Sequence, residues 1–538
     1  MIKCPNCGAE LSFSAESQLV TCEYCRSTFN PKELKISVKT AEEKKSPNTY
    51  EGKSYNCSQC GATLLTFDET AITFCSYCGS QAMLESKMML QNNPDFIIPF
   101  KKTKEECISA YKTKVSKSLF APSYMKSDIV VNKFRGIYIP YGIYKVSFHD
   151  RSVNKGKKYR YRSGDYEYYD DYKIFADIDA DYNGISYDLI SNFYDKFSHS
   201  IPHNFKESEA FNPNYLTGFY ADAVDVDNSL YEEVAESIAI TDSVNHLQKI
   251  KEFSRYGCSI PKVDFKVSEK KVGMFPIYFL AIRDKKNKYV NYAVVNGQTG
   301  KVAIDLPIDF KKYILISFLL TIPIFLLINN FLVIVPKNIC IFSIFASIVS
   351  IVISRYQLKK IYERENHLDD IGYVKKISNI EYKIQTKSEN KAALIILLLG
   401  VFALFFIFPY IVIYFDLSFL RASMFIMCFV LLSVVIGFTH ISKKQNNLKT
   451  NIKITVNKNK IKISKKEKFK YTYKSALAIL IGLIVLVCNF VNDIYYYGAS
   501  LIMFGLIIWS FYDLIKEHNL LVSTKLPQLE KRGGRADE

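Results

Sequence analysis

The chain has 538 residues, 49% apolar and 14% aromatic, and carries a formal net charge of +17. That much apolar material suffices for roughly two to four packed domains and excludes a disordered or fibrous chain. The mean hydropathy of +0.01 averages a polar half with an apolar half, and the positive excess suits either nucleic acid or an anionic membrane surface.

The first elements are cysteine pairs. Eight of the 13 cysteines fall in four C-x-x-C pairs, Cys4/Cys7, Cys22/Cys25, Cys57/Cys60 and Cys75/Cys78. Each ligand of the first set recurs 53 residues later, with 14 residues between pairs both times, so one small unit is duplicated. Four thiolates on two knuckles at the ends of a short hairpin suit tetrahedral Zn²⁺, and Gly8, Gly61 and Gly79 follow a second cysteine where the chain must turn back. The expectation is two structural zinc ribbons, residues 1–30 and 54–86, holding two Zn²⁺ ions in a reducing compartment. Units this small depend on the metal for their folding energy. A redox role is disfavoured because no βαβ pattern surrounds a C-x-x-C, and the closed ligand set leaves no open position for catalysis. Residues 31–53, rich in Lys, Glu and Ser, read as a solvated tether. The start, MIKCPNCGAE, has no apolar core and does not read as a secretory signal.

An α+β domain is expected over 95–310. Phe96 to Phe100 reads as a short strand, Thr103 to Glu106 as a capping box opening a helix toward Ser118, and Gly136 to Val146 as a strand. Tyr159 to Tyr182 and Val272 to Val295 alternate as antiparallel strands do, and Ser229 to Phe253 has helical periodicity. Asp179, Asp181 and Asn183 match half a calcium loop, but Ile190 stands where a bidentate Glu is required, so a half-exposed strand is the better reading. His199 and His203 have Pro202 between them and read as unrelated surface histidines. Cys107 and Cys258 read as core thiols. There is no GxxxxGK[ST], GxSxG or HExxH, and no enzymatic activity is expected.

From Tyr313 to Val335 the chain runs 23 residues without a charge, enough to cross a bilayer. Further apolar runs give an all-α polytopic membrane region of about six helices in three hairpins: 313–354, 392–441 and 475–515, with 339–353 and 476–491 short for a span. The intervening segments 355–391 and 442–474 and the tail 516–538 carry nine, twelve and five Lys or Arg, whereas the tight turns carry Lys337 and Arg421. By the positive-inside rule, both termini and all the loops face the cytoplasm, beside an anionic inner leaflet. Asn451 to Val456 and Lys460 to Ser464 read as a local hairpin turning at Asn457 to Asn459. Asn329, Asn330 and Asn489 are the polar candidates inside the spans, while Asp416, Asp493 and Asp513 fall at helix ends, so no transport relay is expected.

The duplicated ribbons, Phe100-Lys-Lys-Thr-Lys-Glu-Glu106, Lys117-Ser-Leu-Phe-Ala-Pro122, Gly136-Ile-Tyr-Ile-Pro140, Asn296-Gly-Gln-Thr-Gly300 and Asp305-Leu-Pro307 stand in one order over residues 1 to 312. In this they resemble a family of bacterial TFIIB-type double zinc-ribbon membrane proteins, often labelled primosomal-protein-like. The resemblance implies no enzymatic activity and a membrane-associated scaffold, with flotillin-like (SPFH) or phage-shock-type membrane proteins as partners. The alternative function is a membrane-tethered reader of nucleic acid, against which the ribbons carry few Arg and no stacking array. Asn296 to Gly300 itself reads as a hairpin turn.

Overall fold

The computed structural model describes residues 3–34, 49–58, 63–66, 75, 83–126, 135–190, 193–283, 290–329, 336–365, 382–386, 452–456 and 465–522. The first cysteine unit is a three-stranded antiparallel sheet of β1 (Leu11–Phe13), β2 (Val20–Cys22) and β3 (Thr28–Phe29), with Leu11 opposite Cys22. Its alternating residues Leu11, Phe13, Val20 and Cys22 are buried together, as period-two patterning requires of a sheet with one wet face.

The second cysteine unit is built differently. Strands β4 (Thr49–Cys57), β5 (Thr63–Thr66) and β6 (Met83–Asn92) pair antiparallel around β4. They form one end of an eleven-stranded sheet that runs on into the α+β domain. The join is a short strand to which Leu65 of β5 pairs at Ala221. Strand β4 therefore begins at Thr49, inside the segment expected as a tether.

The α+β domain follows with β7 (Phe96–Ile97), α1 (Lys104–Ser116), β8 (Arg135–Ser163), β9 (Tyr166–Asp188), α2 (Asp195–Ser200), β10 (Glu209–Ala210), β11 (Tyr220–Ala221), α3 (Glu232–Leu247), α4 (Lys251–Arg255), β12 (Lys266–Arg283), β13 (Val290–Asn296) and β14 (Val302–Ile304). Thr103 caps α1 as its sequence predicts. Its hydroxyl accepts from Glu106 N at 3.2 Å, and the Glu106 carboxylate accepts from Thr103 N at 2.9 Å. Strand β8 pairs antiparallel with β12 from Arg135 to Ser147 and with β9 from Tyr141 to Ser163, so beyond Ser147 it is half of a long two-stranded arm that turns at Gly164.

Several sequence expectations are settled here. Asp177, Asp179 and Asp181 are the exposed face of β9, as alternation indicated. Cys107 and Cys258 are buried. His199 and His203 are a correction, for both are half-buried against the domain core. The His199 ring stands 4.4 Å from Tyr187 and the His203 ring 4.6 Å from Phe275. Each is packed on a different aromatic of the domain core, which burial of the Tyr-rich strands creates and local sequence does not reveal. Asn296 to Gly300 turns β13 into β14, with Gly300 at φ 72° and Asn296 Oδ1 accepting from Gln298 N and Thr299 N at 2.8 and 2.9 Å.

The C-terminal part begins with the apolar helix α5 (Phe310–Asn329) and continues with α6 (Pro336–Glu365). Strands β15 (Tyr382–Thr386) and β16 (Ile452–Val456) precede α7 (Lys465–Cys488) and α8 (Asp493–Val522). Among the described residues three helices are long and apolar enough to cross a membrane: Pro336–Arg364, Phe469–Cys488 and Asp493–Val522. Of the six expected helices, the hairpin 392–441 lies outside the described residues. The expected short spans are longer than their apolar cores, because α6 and α7 continue as helix through Lys- and Arg-rich sequence that hydropathy reads as loop. Of the local hairpin expected at Asn451 to Ser464, Ile452–Val456 is a strand that pairs with Tyr382–Thr386, some 70 residues earlier, while 457–464 lies outside the described residues.

Helices α6, α7 and α8 pack on one another through two buried clusters, one joining Val349 and Ile353 to Ile507 and Phe511, the other Cys340 and Ala478 to Met503. Small residues allow the close approach. A Cβ at Gly482 of α7 would lie 2.5 Å from Ile344 Cγ1 and 2.8 Å from Met503 Cε, and the hydroxyls of Ser350 and Ser475 meet at 3.1 Å.

Candidate metal centre and the joint to the C-terminal helices

Two turns bring the first four cysteines together. Gly8 N donates to Cys4 O and Arg26 N to Cys22 O, and the residue after each second cysteine has positive φ, 76° at Gly8 and 60° at Arg26. The left-handed conformation reverses the chain so that successive thiols face one point. The result places Cys4 Sγ 3.6 Å from Cys25 Sγ and Cys7 Sγ 3.5 Å from Cys22 Sγ, with all four sulfurs within 4.8 Å of one another. A tetrahedron of metal–sulfur bonds of about 2.3 Å has sulfur–sulfur edges of about 3.8 Å, so the four thiols fit one metal ion.

The centre is half sunk in the fold. Cys4 and Cys22 are buried in the same apolar cluster as Phe13, Tyr215, Phe100 and Tyr138 of the domain, while Cys7 and Cys25 are exposed. Ser27 Oγ lies 3.2 Å from Cys25 Sγ, and that contact, followed by the Ser27 backbone N–H, holds the Cys25 thiol down to about 6. Cys7 of the same set moves the opposite way, up to about 12, and a metal ion would bind both as thiolates. Asn6 Nδ2 donates to Ser27 Oγ at 2.9 Å and ties the two knuckles to each other. The unit is also bolted to the domain: Phe13 N donates to Thr217 O at 3.1 Å, Gln18 Nε2 donates to Phe100 O at 2.7 Å, and the Phe13 and Tyr215 rings meet edge to face at 5.2 Å.

Of the second predicted set, Cys57 and Cys75 are both buried, in a cluster with Leu64, Ile139 and Phe193. Cys60 and Cys78 lie outside the described residues.

The second constellation was not legible in the sequence. Asp305, the acid of the Asp305-Leu-Pro307 segment, sits where the sheet domain meets the helices. Lys196 Nζ of α2 lies 2.9 Å from its Oδ1, and Arg364 Nη2, at the far end of α6, lies 2.5 Å from its Oδ2. The Arg364 guanidinium also stands 5.2 Å over the Tyr194 ring. Burial alone would raise the Asp305 carboxyl, yet Arg364 and then Lys196 outweigh it and hold the group well below the usual carboxylate range. Neighbouring contacts extend the joint. Asn519 of α8 donates to Ile308 O at 2.8 Å and accepts from Ile308 N at 2.7 Å. Asn291 Nδ2 of β13 donates to Val522 O at 3.2 Å, and Lys312 Nζ donates to Ala121 O at 2.8 Å.

Along the same end of the bundle, Lys474 pairs with Asp513 and stands 3.9 Å over the ring of Trp509, and Tyr471 Oη donates to Glu517 at 2.7 Å. Spacing in sequence could not find these partners, which are 39 and 46 residues apart. The polar candidate Asn489 instead caps the opposite end of the helices, accepting from Lys337 Nζ at 2.9 Å.

With this geometry in hand, comparison with known proteins gives one similarity. The chain is 29% identical over 324 residues to a Bacillus subtilis (strain 168) protein described as "Uncharacterized protein YdjG", covering 58% of this chain and 91% of that one. No family model and no solved structure matches.

Proposed function

We propose that the protein is a zinc-binding, multi-pass protein of the cytoplasmic membrane whose ribbons and sheet domain form a cytosolic-face platform for other membrane proteins. The observation that carries the reading is the β8–β9 arm. Past Ser147, the last β8 residue paired with β12, the two strands pair among the described residues only with each other out to Ser163 and Tyr166, apart from one bridge at Gly156 to Cys258. As far as Lys157 these strands pack on α3 and on Tyr256, Cys258 and Phe265, and the last six residues of β8 at about 3.3 Å each carry the tip roughly 20 Å beyond that contact. Near its tip Tyr159, Tyr161, Tyr166, Tyr168 and Tyr169 are exposed. Tyrosine offers contact area at low entropic cost and is enriched in protein interfaces. At its base the domain is clamped to the helices through Asp305, which would fix the direction of the arm relative to the bilayer.

The same arm argues against the nucleic-acid reading. Its β8 half carries Arg151, Lys155, Lys157, Lys158, Arg160 and Arg162, but the facing half carries Glu167, Asp170, Asp171, Asp177, Asp179 and Asp181, and Arg151 pairs with Asp177 at 3.0 Å. The near-cancellation leaves little field for a phosphate backbone. Two zinc ions, one per cysteine set, and cytoplasmic termini complete the proposal. The resemblance of residues 1–312 to the double-ribbon membrane family points to flotillin-like or phage-shock-type partners.

The test is a photocrosslinking amino acid at Tyr166 of the full chain in native membranes, with nuclease-treated and untreated samples and a Cys22→Ser chain in parallel. Crosslinks to flotillin-like or phage-shock-type proteins support the platform. Crosslinks to nucleic acid alone, or none, sink it.

A further inference from the structure

A cleft of about 740 Å³ opens between α1, α2 and the β13–β14 turn. Its walls hold five lysines, Lys102, Lys114, Lys117, Lys196 and Lys301, against two acids, Glu106 and Asp305. Both acids are already committed. Glu106 takes Lys102 at 2.8 Å, and Asp305 is shared between Lys196 and Arg364 at 2.9 and 2.5 Å. Lys114, Lys117 and Lys301 are left with no ion pair among the described residues. Lys114 and Lys117 lie in and just after the last turn of α1, where cations also complement the helix dipole. Lys301 enters from the opposite wall and has no such role. The hydroxyls of Ser109, Thr113 and Thr299 add donors to the same lining. A donor-rich wall whose carboxylates are spent is complementary to an anion.

We infer that this cleft binds a phosphate-bearing anion, held by Lys114, Lys117 and Lys301. Its position admits two sources. Asp305 on its floor is five residues before Phe310, the first residue of α5, so on the membrane reading above the cleft lies at the cytosolic border of the bilayer, within reach of an anionic lipid headgroup. It is also open to solvent and to a soluble phosphate ester.

The experiment uses the full chain in nanodiscs and reads amine acetylation residue by residue by mass spectrometry. One arm titrates inorganic pyrophosphate into discs of phosphatidylcholine; the other replaces part of the lipid with phosphatidylglycerol and adds no pyrophosphate. Lys114, Lys117 and Lys301 are expected to be protected together, while Lys249 and Lys262, outside the cleft, keep their reactivity. Protection in the first arm identifies a soluble phosphate, and protection in the second alone identifies a lipid headgroup. In a Lys114→Ser/Lys301→Ser chain with unchanged circular dichroism, the apparent affinity read at Lys117 should fall about tenfold or more, since charge-assisted hydrogen bonds are lost. No protection in either arm, equal protection at Lys249 and Lys262, or an affinity within about twofold in the variant overturns the assignment.

Discussion

Replacing Asp305 with Asn tests whether the sheet domain and the C-terminal helices behave as one unit. The substitution keeps the shape and removes the charge shared by Lys196 and Arg364, whose side chains are 21% and 16% exposed. Each pair is worth about 6 kcal/mol of gross attraction at an effective dielectric near 20, most of it offset by desolvation. Deleting one partner of such a network leaves the others uncompensated and costs about 3–5 kcal/mol. Two probes separate the halves. Trp509 is the sole tryptophan and lies in α8, so its fluorescence follows the bundle, while hydrogen exchange at the paired amides of β8 and β12, read at each urea concentration, follows the domain. In the native chain in detergent the two urea transitions should coincide. In Asp305→Asn the domain should unfold first, and adding Arg364→Met with Lys196→Met should recover part of the loss. Coincident transitions with a loss below about 0.5 kcal/mol would refute the clamp. The sign with pH follows from the depressed carboxyl: its contribution is fully present above the unfolded value near 4 and is lost only as pH falls through the lower folded value.

Other expectations follow from single features. Cys22→Ser should lower bound zinc by one equivalent per chain, measured by elemental analysis, and should loosen the Phe13 contact with Tyr215, because both depend on the knuckle. Arg26→Gly relieves a left-handed backbone at φ 60° and should stabilise the first unit by about 1 kcal/mol in chelator titrations; a loss of zinc affinity would contradict that. Gly482→Leu drives a side chain into Ile344 and Met503 and should cost the bundle about 1–3 kcal/mol by the Trp509 signal. Burial lowers His199 to about 4 and His203 to about 3. The unfolded chain therefore takes up protons first, and stability should fall as pH drops from about 6.5 toward 4. His199→Leu/His203→Leu should flatten that slope.

Local chemistry in the sequence determined the cysteine knuckles, the Thr103 cap, the alternating strands and the apolar helices, because each is set by neighbours within a turn or a strand. The four cysteines of the first centre could be named from spacing, since each C-x-x-C fixes two ligands at once and the repeat 53 residues later showed that two adjacent pairs make one set. Tertiary structure decided the rest. That β4 and β5 join the domain sheet, that Ile452–Val456 pairs with Tyr382–Thr386, and that His199 and His203 lie on Tyr187 and Phe275 all depend on contacts distant in sequence. The helix ends were misjudged for a related reason: Arg364, Lys474 and Asp513 read as loop or boundary charges, yet each is satisfied by a partner on another element and stays helical. Charge in a sequence marks where water is near, but only the fold supplies the counter-ion that lets a helix carry that charge to Asp305.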